Sequence, residues 1–213
     1  MYYDNYFEEL KFALTKIDRN LLVGIESMII KTVKKDGNIY LLGNGGNTAT
    51  ASHWVCDFNK GIGILSDKSV RMISLSDNIS LLTAYANDAS YDDIYLFQLE
   101  KIIQKRDLII ILSVSGNSSN LVKAAKYAKE NNITVISIVG DYNGKVLDYS
   151  DISLISFKFL SFLYLFIRYS TTLIVLSILD INFSFPYFNI YSSGSKFSSS
   201  LIILGVTSIS FNT

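Results

Sequence analysis

Four serine hydroxyls lie within seven residues in the stretch SVSGNSS, residues 113–119. The stretch follows an apolar run and precedes a segment rich in Ala and Lys, which predicts a strand-to-helix junction. A helix N-terminus offers unpaired backbone N–H groups and positive dipole character, and hydroxyls add hydrogen-bond donors without charge. The stretch therefore predicts a phosphate or carboxylate site. Helix capping by Ser118 or Ser119 is the simpler alternative, although a cap needs only one serine.

A second strand-to-helix junction is predicted at GNGGN, residues 43–47, after an apolar strand at 39–42. Gly45 and Gly46 would let the backbone approach a ligand closely. The stretch is neither a Walker A loop nor a dinucleotide-binding fingerprint, because no lysine follows and the glycine spacing differs. Taken alone, it is equally consistent with a tight turn that binds nothing.

His53 is the only histidine, and it precedes Asp57 by four residues in a helix predicted at 47–58. This spacing places both side chains on one helix face. They could be two metal ligands, a base with its orienting partner, or an ordinary surface pair. Cys56 is the only cysteine, which excludes an internal disulfide, and we expect it to be a small buried residue.

Strands and helices are predicted to alternate along residues 1–154, beginning with a helical pair within 5–35. Further helices are expected at 79–86, 91–104 and 118–131, and further strands at 70–75, within 106–116, at 133–139 and at 151–155. Continuous apolar strands in this order indicate a parallel, doubly wound α/β sheet. Such sheets bind ligands beyond the carboxyl ends of their strands, where both loops would lie. The pair Asn87-Asp88 ends a predicted helix and says little alone.

The charge balance excludes a strongly basic or acidic protein, because Lys plus Arg equals Asp plus Glu at 19 each. We therefore expect no nucleic-acid partner. The beginning of the chain, MYYDNYFEEL, is acidic and lacks the positive region of a secretory signal, which favours a cytoplasmic location.

Residues 155–213 differ in composition from the rest of the chain. They contain four charged residues and no His, Gln, Glu or Ala. Three interpretations stay open: out-of-frame translation of AT-rich DNA, which we favour; a membrane anchor at 159–179, costly because Arg168 would lie mid-span; or a rebuilt hydrophobic element. We place a domain boundary between residues 154 and 155.

The stretches GNGGNTATASHWVCDFNKG, LLTAYANDASYDD and LSVSGNSSNLVKAAKYAKE make the chain resemble the sugar isomerase (SIS) domain family, and among its members the phosphoheptose isomerases. The resemblance extends over about residues 5–154. It implies a three-layer, flavodoxin-like fold with a five-stranded parallel sheet and an N-terminal helical pair used in a homotetramer. It also implies isomerisation of sedoheptulose 7-phosphate to an aldoheptose phosphate, for lipopolysaccharide or capsule, with a zinc ion as cofactor.

The resemblance also assigns roles to individual residues. The residues that it places around the substrate are Asn44, Gly45, Gly46, Asn87 and Asp88 for the sugar, and Ser113, Val114, Ser115 and Ser118 for the phosphate. It makes His53 a zinc ligand. It makes Asp57 both a ligand and a proton-transfer group, at a position where the family usually has Glu.

The sequence departs from the family pattern in its last third. The family closes with a helix that carries a Gln or acidic residue and a second His, which complete the metal site and supply the other acid/base group. Residues 155–213 contain no Gln, Glu or His, and Asp180 is their only acidic residue. His53 and Asp57 would thus be two of the usual four zinc ligands. A catalytically impaired SIS module that binds a phosphosugar or a protein partner as a regulator is the alternative function.

Overall fold

The structure is a computed structural model that describes residues 2–65 and 70–156. Six α-helices lie in the described ranges: α1 (Tyr2–Thr15), α2 (Arg19–Lys34), α3 (Gly46–Leu65), α4 (Ile79–Asp88), α5 (Leu96–Ile102) and α6 (Ser119–Glu130). The strands are β1 (Asn38–Gly43), β2 (Arg71–Ser74), β3 (Leu108–Ser113), β4 (Thr134–Gly140) and β5 (Ile152–Ser156). Short 3₁₀ turns span Tyr91–Asp93 and Lys145–Tyr149. Our predictions for residues 157–213 lie outside the described residues.

The five strands form one parallel sheet in the order β2-β1-β3-β4-β5. This is the flavodoxin-like order, so the predicted fold class is confirmed. From β1 the chain moves outward to β2 and then returns to pair β3 with the other side of β1. The strand order therefore reverses between β1 and β3.

Helices cover both faces of the sheet, because β1 and β3 are apolar at successive positions. In β1, Ile39 and Leu41 face a core with Ile29 of α2 and Trp54 of α3. The alternate residues of β1 face a second core, to which α5 and α6 contribute Leu99, Leu121 and a row of alanines. The three predicted layers are present, and the N-terminal pair is α1 and α2.

Two local predictions were wrong. Cys56 is exposed, because Trp54 and Phe58 occupy the buried face of α3 and a residue midway between them lies on the opposite face. The helix predicted at 91–104 is broken into a 3₁₀ turn and α5. The Ser90 side chain accepts a hydrogen bond from the N–H of Asp92 at the start of that turn, and the segment after the turn buries Ile94 and Tyr95.

No helix within 2–65 or 70–156 has both the length and the apolar character needed to cross a membrane.

Candidate active site

Two loops meet where the strand order reverses. β1 and β3 are hydrogen-bonded neighbours, and Gly43 at the end of β1 pairs with Leu112, one residue before the end of β3. The loop 44–45, between β1 and α3, and the loop 114–118, between β3 and α6, therefore leave the sheet side by side at its carboxyl edge. This is the position at which doubly wound sheets bind ligands.

The loop after β3 is fixed at both ends. Ser113 is buried, and its Oγ accepts a hydrogen bond from the N–H of Gly116 at 3.0 Å. The carbonyl of Val114 accepts from the N–H of Gly140 at 2.9 Å, and the carbonyl of Gly116 accepts from the N–H of Val146 at 3.0 Å. The end of β4 and the 3₁₀ turn that follows it thus hold this loop by hydrogen bonds, which keeps the start of α6 in place.

The serines of this loop do not act as an ordinary helix cap. Ser118 occupies the N-cap position of α6, but its side chain makes no capping hydrogen bond. Ser115 Oγ accepts from the N–H of Asn117 at 3.2 Å, and a hydroxyl that accepts still has its own proton to donate. The capping alternative therefore does not explain Ser118, and the arrangement is chemically suited to an anion at the N-terminus of α6.

The loop after β1 presents backbone rather than side chains. Gly45 has a φ of +58°, in the left-handed region, and a Cβ at Gly45 or Gly46 would meet nothing within 4 Å. The carbonyl of Gly43 points inward, where it accepts from Thr48 Oγ1 at 2.7 Å and from the hydroxyl of Tyr95. A ligand can therefore approach the exposed backbone of residues 45 and 46.

Asn44 connects the two loops through its side chain. Asn44 Nδ2 donates to Asn120 Oδ1 at 2.9 Å, and Asn120 Nδ2 donates back to Asn44 Oδ1 at 3.0 Å. The hydroxyls of Tyr91 and Tyr95 lie 3.3 and 3.4 Å from Asn44 Oδ1. The Tyr95 hydroxyl has one proton, which it donates to the carbonyl of Gly43, so Tyr91 is the hydroxyl able to donate to Asn44 Oδ1. Burial raises the pKa of Tyr95.

His53 and Asp57 form the pair that their spacing predicted, with Nε2 and Oδ2 3.2 Å apart. Their side chains are 45% and 32% exposed. Two ligand atoms bound to a tetrahedral zinc lie about 3.4 Å apart, so the pair has suitable types and a suitable separation. No third His, Cys, Asp or Glu joins them among the residues that the structure describes. The described residues would therefore supply two of the four ligands that a tetrahedral zinc needs.

Asn87 and Asp88 lie at the end of α4 and are exposed. Asn87 Nδ2 donates to Asp88 Oδ1 at 2.9 Å, and no hydrogen bond between described residues connects either side chain to the two loops. The structure thus brings together the loop residues, including Asn44, and separately pairs His53 with Asp57.

Sequence reasoning missed Asn120 and Tyr95. Asn120 is 1% exposed and lies among apolar positions on the inner face of α6, where a polar side chain needs a hydrogen-bond partner. That misplaced polarity was a usable signal. Tyr95 gave no comparable signal, because an aromatic residue in a helical pattern is an ordinary core residue.

Comparison with known proteins gives consistent results. A family model described as SIS domain matches residues 2–140. Phosphoheptose isomerase of Helicobacter pylori (strain P12) is 36% identical over 148 residues, which are 70% of this chain and 76% of that protein. Phosphoheptose isomerase of Chlorobaculum tepidum is 30% identical over 151 residues, which are 70% and 72% of the two chains.

The solved structure of phosphoheptose isomerase GmhA from Neisseria gonorrhoeae matches with a TM-score of 0.71 and 22% identity, over 84% of this chain and 95% of that one. This likeness shows the fold. With the family model matched over most of the described residues, and with relatives at 30% identity or more, the chain belongs to the SIS domain family.

Proposed function

We propose that this protein isomerises D-sedoheptulose 7-phosphate to D-glycero-D-manno-heptose 7-phosphate. One observation carries the proposal. A loop suited to a phosphate group and a glycine loop suited to a sugar lie side by side where the strand order reverses, and the Asn44–Asn120 amide pair joins them. The names of the curated relatives support the choice of reaction.

In this proposal the phosphate binds at the start of α6, near Ser113, Val114, Ser115 and Ser118. Backbone N–H groups and hydroxyl protons would hold its oxygens without a cationic side chain. Asn44, Gly45 and Gly46 would contact the sugar, together with Asn87 and Asp88 if the ligand extends to the end of α4. Holding the phosphate supplies binding energy that positions the reacting carbons.

The chemical step needs a base that moves a proton between neighbouring carbons. In a ketose, removal of a proton from C1 leaves an enediolate, the hydroxyl proton on O1 moves to O2, and return of a proton to C2 gives the aldose. We assign the base to the Asp57 carboxylate and the orientation of that carboxylate to His53, whose imidazole lies 3.2 Å away. Asp57 is one methylene shorter than Glu, so its carboxylate reaches about 1.5 Å less far.

We also propose that His53 and Asp57 contribute to a zinc site. When bound, zinc would polarise the substrate carbonyl and stabilise the negative charge of the enediolate. The two donors present are of the right kind and separation for this metal.

A homotetramer, a cytoplasmic location and a role in heptose supply for lipopolysaccharide or capsule complete the proposal. The alternative, a non-catalytic module that binds a phosphosugar or a protein partner as a regulator, is not better supported, because the curated relatives above carry the names of enzymes.

A coupled assay on sedoheptulose 7-phosphate with added zinc tests the proposal. We expect turnover by the full chain and none above background for Asp57→Asn, which keeps the size of the side chain but removes the base. Binding of sedoheptulose 7-phosphate without turnover above the His53→Ala variant would contradict catalysis and leave the regulatory module.

A further inference from the structure

We infer that Asn120 is a positioning residue, which orients the Asn44 amide so that it presents one N–H, and no available carbonyl lone pair, to the sugar. This inference rests on the proposed function for the identity of the ligand. Its structural basis is the hydrogen-bond network of Asn44 alone.

The orientation of the Asn120 amide is fixed by a donor that cannot reverse. The backbone N–H of Leu121 donates to Asn120 Oδ1 at 2.9 Å, and a backbone N–H is never an acceptor. The atom that faces Leu121 is therefore the oxygen. Because the same oxygen accepts from Asn44 Nδ2, the nitrogen of Asn120 must face Asn44 Oδ1, and both amide orientations follow.

The Asn44 oxygen is occupied on the protein side. It accepts from Asn120 Nδ2 at 3.0 Å and from the hydroxyl of Tyr91 at 3.3 Å, which together use both of its lone pairs. Asn44 Nδ2 carries two protons, one of which is donated to Asn120. Among the described residues, no other acceptor is bonded to Nδ2, so one N–H remains for a ligand.

Asn120 itself is placed to act only through Asn44. Its side chain is 1% exposed beneath the start of α6, whereas Asn44 is half-buried at the surface of the opposite loop. A ligand bound by the two loops would therefore contact Asn44 and not Asn120. The chemistry selected at this point is an acceptor, such as a carbonyl or hydroxyl oxygen of the sugar chain.

A double-mutant cycle on the full chain tests the inference. The variants are Asn44→Ala, Asn120→Ala and the double variant, with kcat/KM for sedoheptulose 7-phosphate as the readout. Asn120→Ala leaves the N–H of Leu121 bonded to the carbonyl of Ser118 at 3.0 Å, so the start of α6 keeps its local hydrogen bond. Asn120→Leu, which retains side-chain volume but no hydrogen bonds, separates packing from positioning.

Asn59 provides a matched control. Its amide also makes a two-way bridge, donating to the carbonyl of Met72 at 2.9 Å and accepting from the N–H of Met72 at 3.1 Å. That bridge joins α3 to β2 and involves neither loop. Asn59→Ala should therefore leave kcat/KM within about twofold of the wild type and combine multiplicatively with Asn44→Ala.

We expect Asn44→Ala and Asn120→Ala each to lower kcat/KM roughly tenfold or more. The double variant should have a kcat/KM no lower than that of the less active single variant. Asn120→Leu should lower kcat/KM as much as Asn120→Ala does. Losses that multiply in the double variant, or wild-type activity in Asn120→Leu, would overturn the inference.

A readout independent of activity separates this inference from the proposed function. The side-chain amide signal of Asn44 in a ¹⁵N spectrum, assigned by its loss in Asn44→Ala, should exchange with water at least about tenfold faster in Asn120→Ala than in the wild type or Asn59→Ala. Equal exchange overturns the inference even if the enzyme is active. Faster exchange with no turnover in the wild type supports the positioning and contradicts the proposed reaction.

Discussion

Gly116 and Gly144 approach each other so closely that a Cβ on Gly144 would lie 2.5 Å from the Cα of Gly116. Gly116 has a φ of +66°, and Gly144 precedes the 3₁₀ turn that supports the loop after β3. The backbone of the proposed phosphate loop therefore rests on a contact that only two glycines allow.

Replacing Gly144 by Ala should displace this loop, because the new methyl group meets backbone atoms of the loop itself and not the flexible end of a side chain. We expect the KM for sedoheptulose 7-phosphate to rise about tenfold or more and the free energy of unfolding to fall by about 1–3 kcal/mol. Steady-state kinetics and urea unfolding measure the two effects. Gly61→Ala on α3 is the control, since a Cβ there meets nothing within 4 Å and Ala favours a helix; unchanged kinetics in both variants would contradict the prediction.

Replacing Ser118 by Ala should weaken phosphosugar binding with little loss of stability. A working helix cap contributes about 1 kcal/mol, but the Ser118 hydroxyl makes no capping hydrogen bond, so we expect a change below about 0.5 kcal/mol. We expect a several-fold increase in the KM for sedoheptulose 7-phosphate, and none for Ser119→Ala, the exposed neighbour. A cap-sized stability loss with an unaltered KM would show that Ser118 serves the helix.

Removing His53 should reduce the zinc content of the purified protein. His53 Nε2 lies 3.2 Å from Asp57 Oδ2, and a site that loses one of its ligands binds zinc more weakly. Elemental analysis after dialysis should show at least severalfold less zinc in His53→Ala than in the wild type. Cys56→Ser, which removes an exposed thiol on the same helix that could bind zinc adventitiously, is the control and should keep the zinc content of the wild type. Equal zinc in His53→Ala and the wild type would rule out a role for His53 in the proposed site.

The stability of the fold should decrease in alkali through Tyr95. Burial raises the folded-state pKa of Tyr95, so the unfolded chain loses its phenol proton first, from about pH 10. The tyrosine's full contribution is present below that pH and is lost as the pH rises towards the folded-state pKa. Urea unfolding between pH 9 and 11 should show a smaller loss in Tyr95→Phe than in the wild type, whereas Tyr142→Phe, at an exposed position, should match the wild type.

Much of the fold was predictable because the strands are continuous apolar runs, such as 108–112, which have only one stable place in an α/β protein. The two loops were predictable because glycines and serines interrupt those runs abruptly. Asn120 was not, because its partner Asn44 is 76 positions away and only the pairing of β1 with β3 brings them together. The exposure of Cys56 depended on which face of α3 packs, and the sequence around it offered apolar residues on several sides.

The amide pair between Asn44 and Asn120 also joins ligand binding to folding. A ligand held by both loops binds only chains in which β1 and β3 have paired and α6 has docked, and it has no site on the unfolded chain. By mass action, such a ligand raises the melting temperature in proportion to the logarithm of its concentration. The abundance of this protein in a cell would then follow the supply of its own substrate, because the bound form unfolds less often and is degraded more slowly.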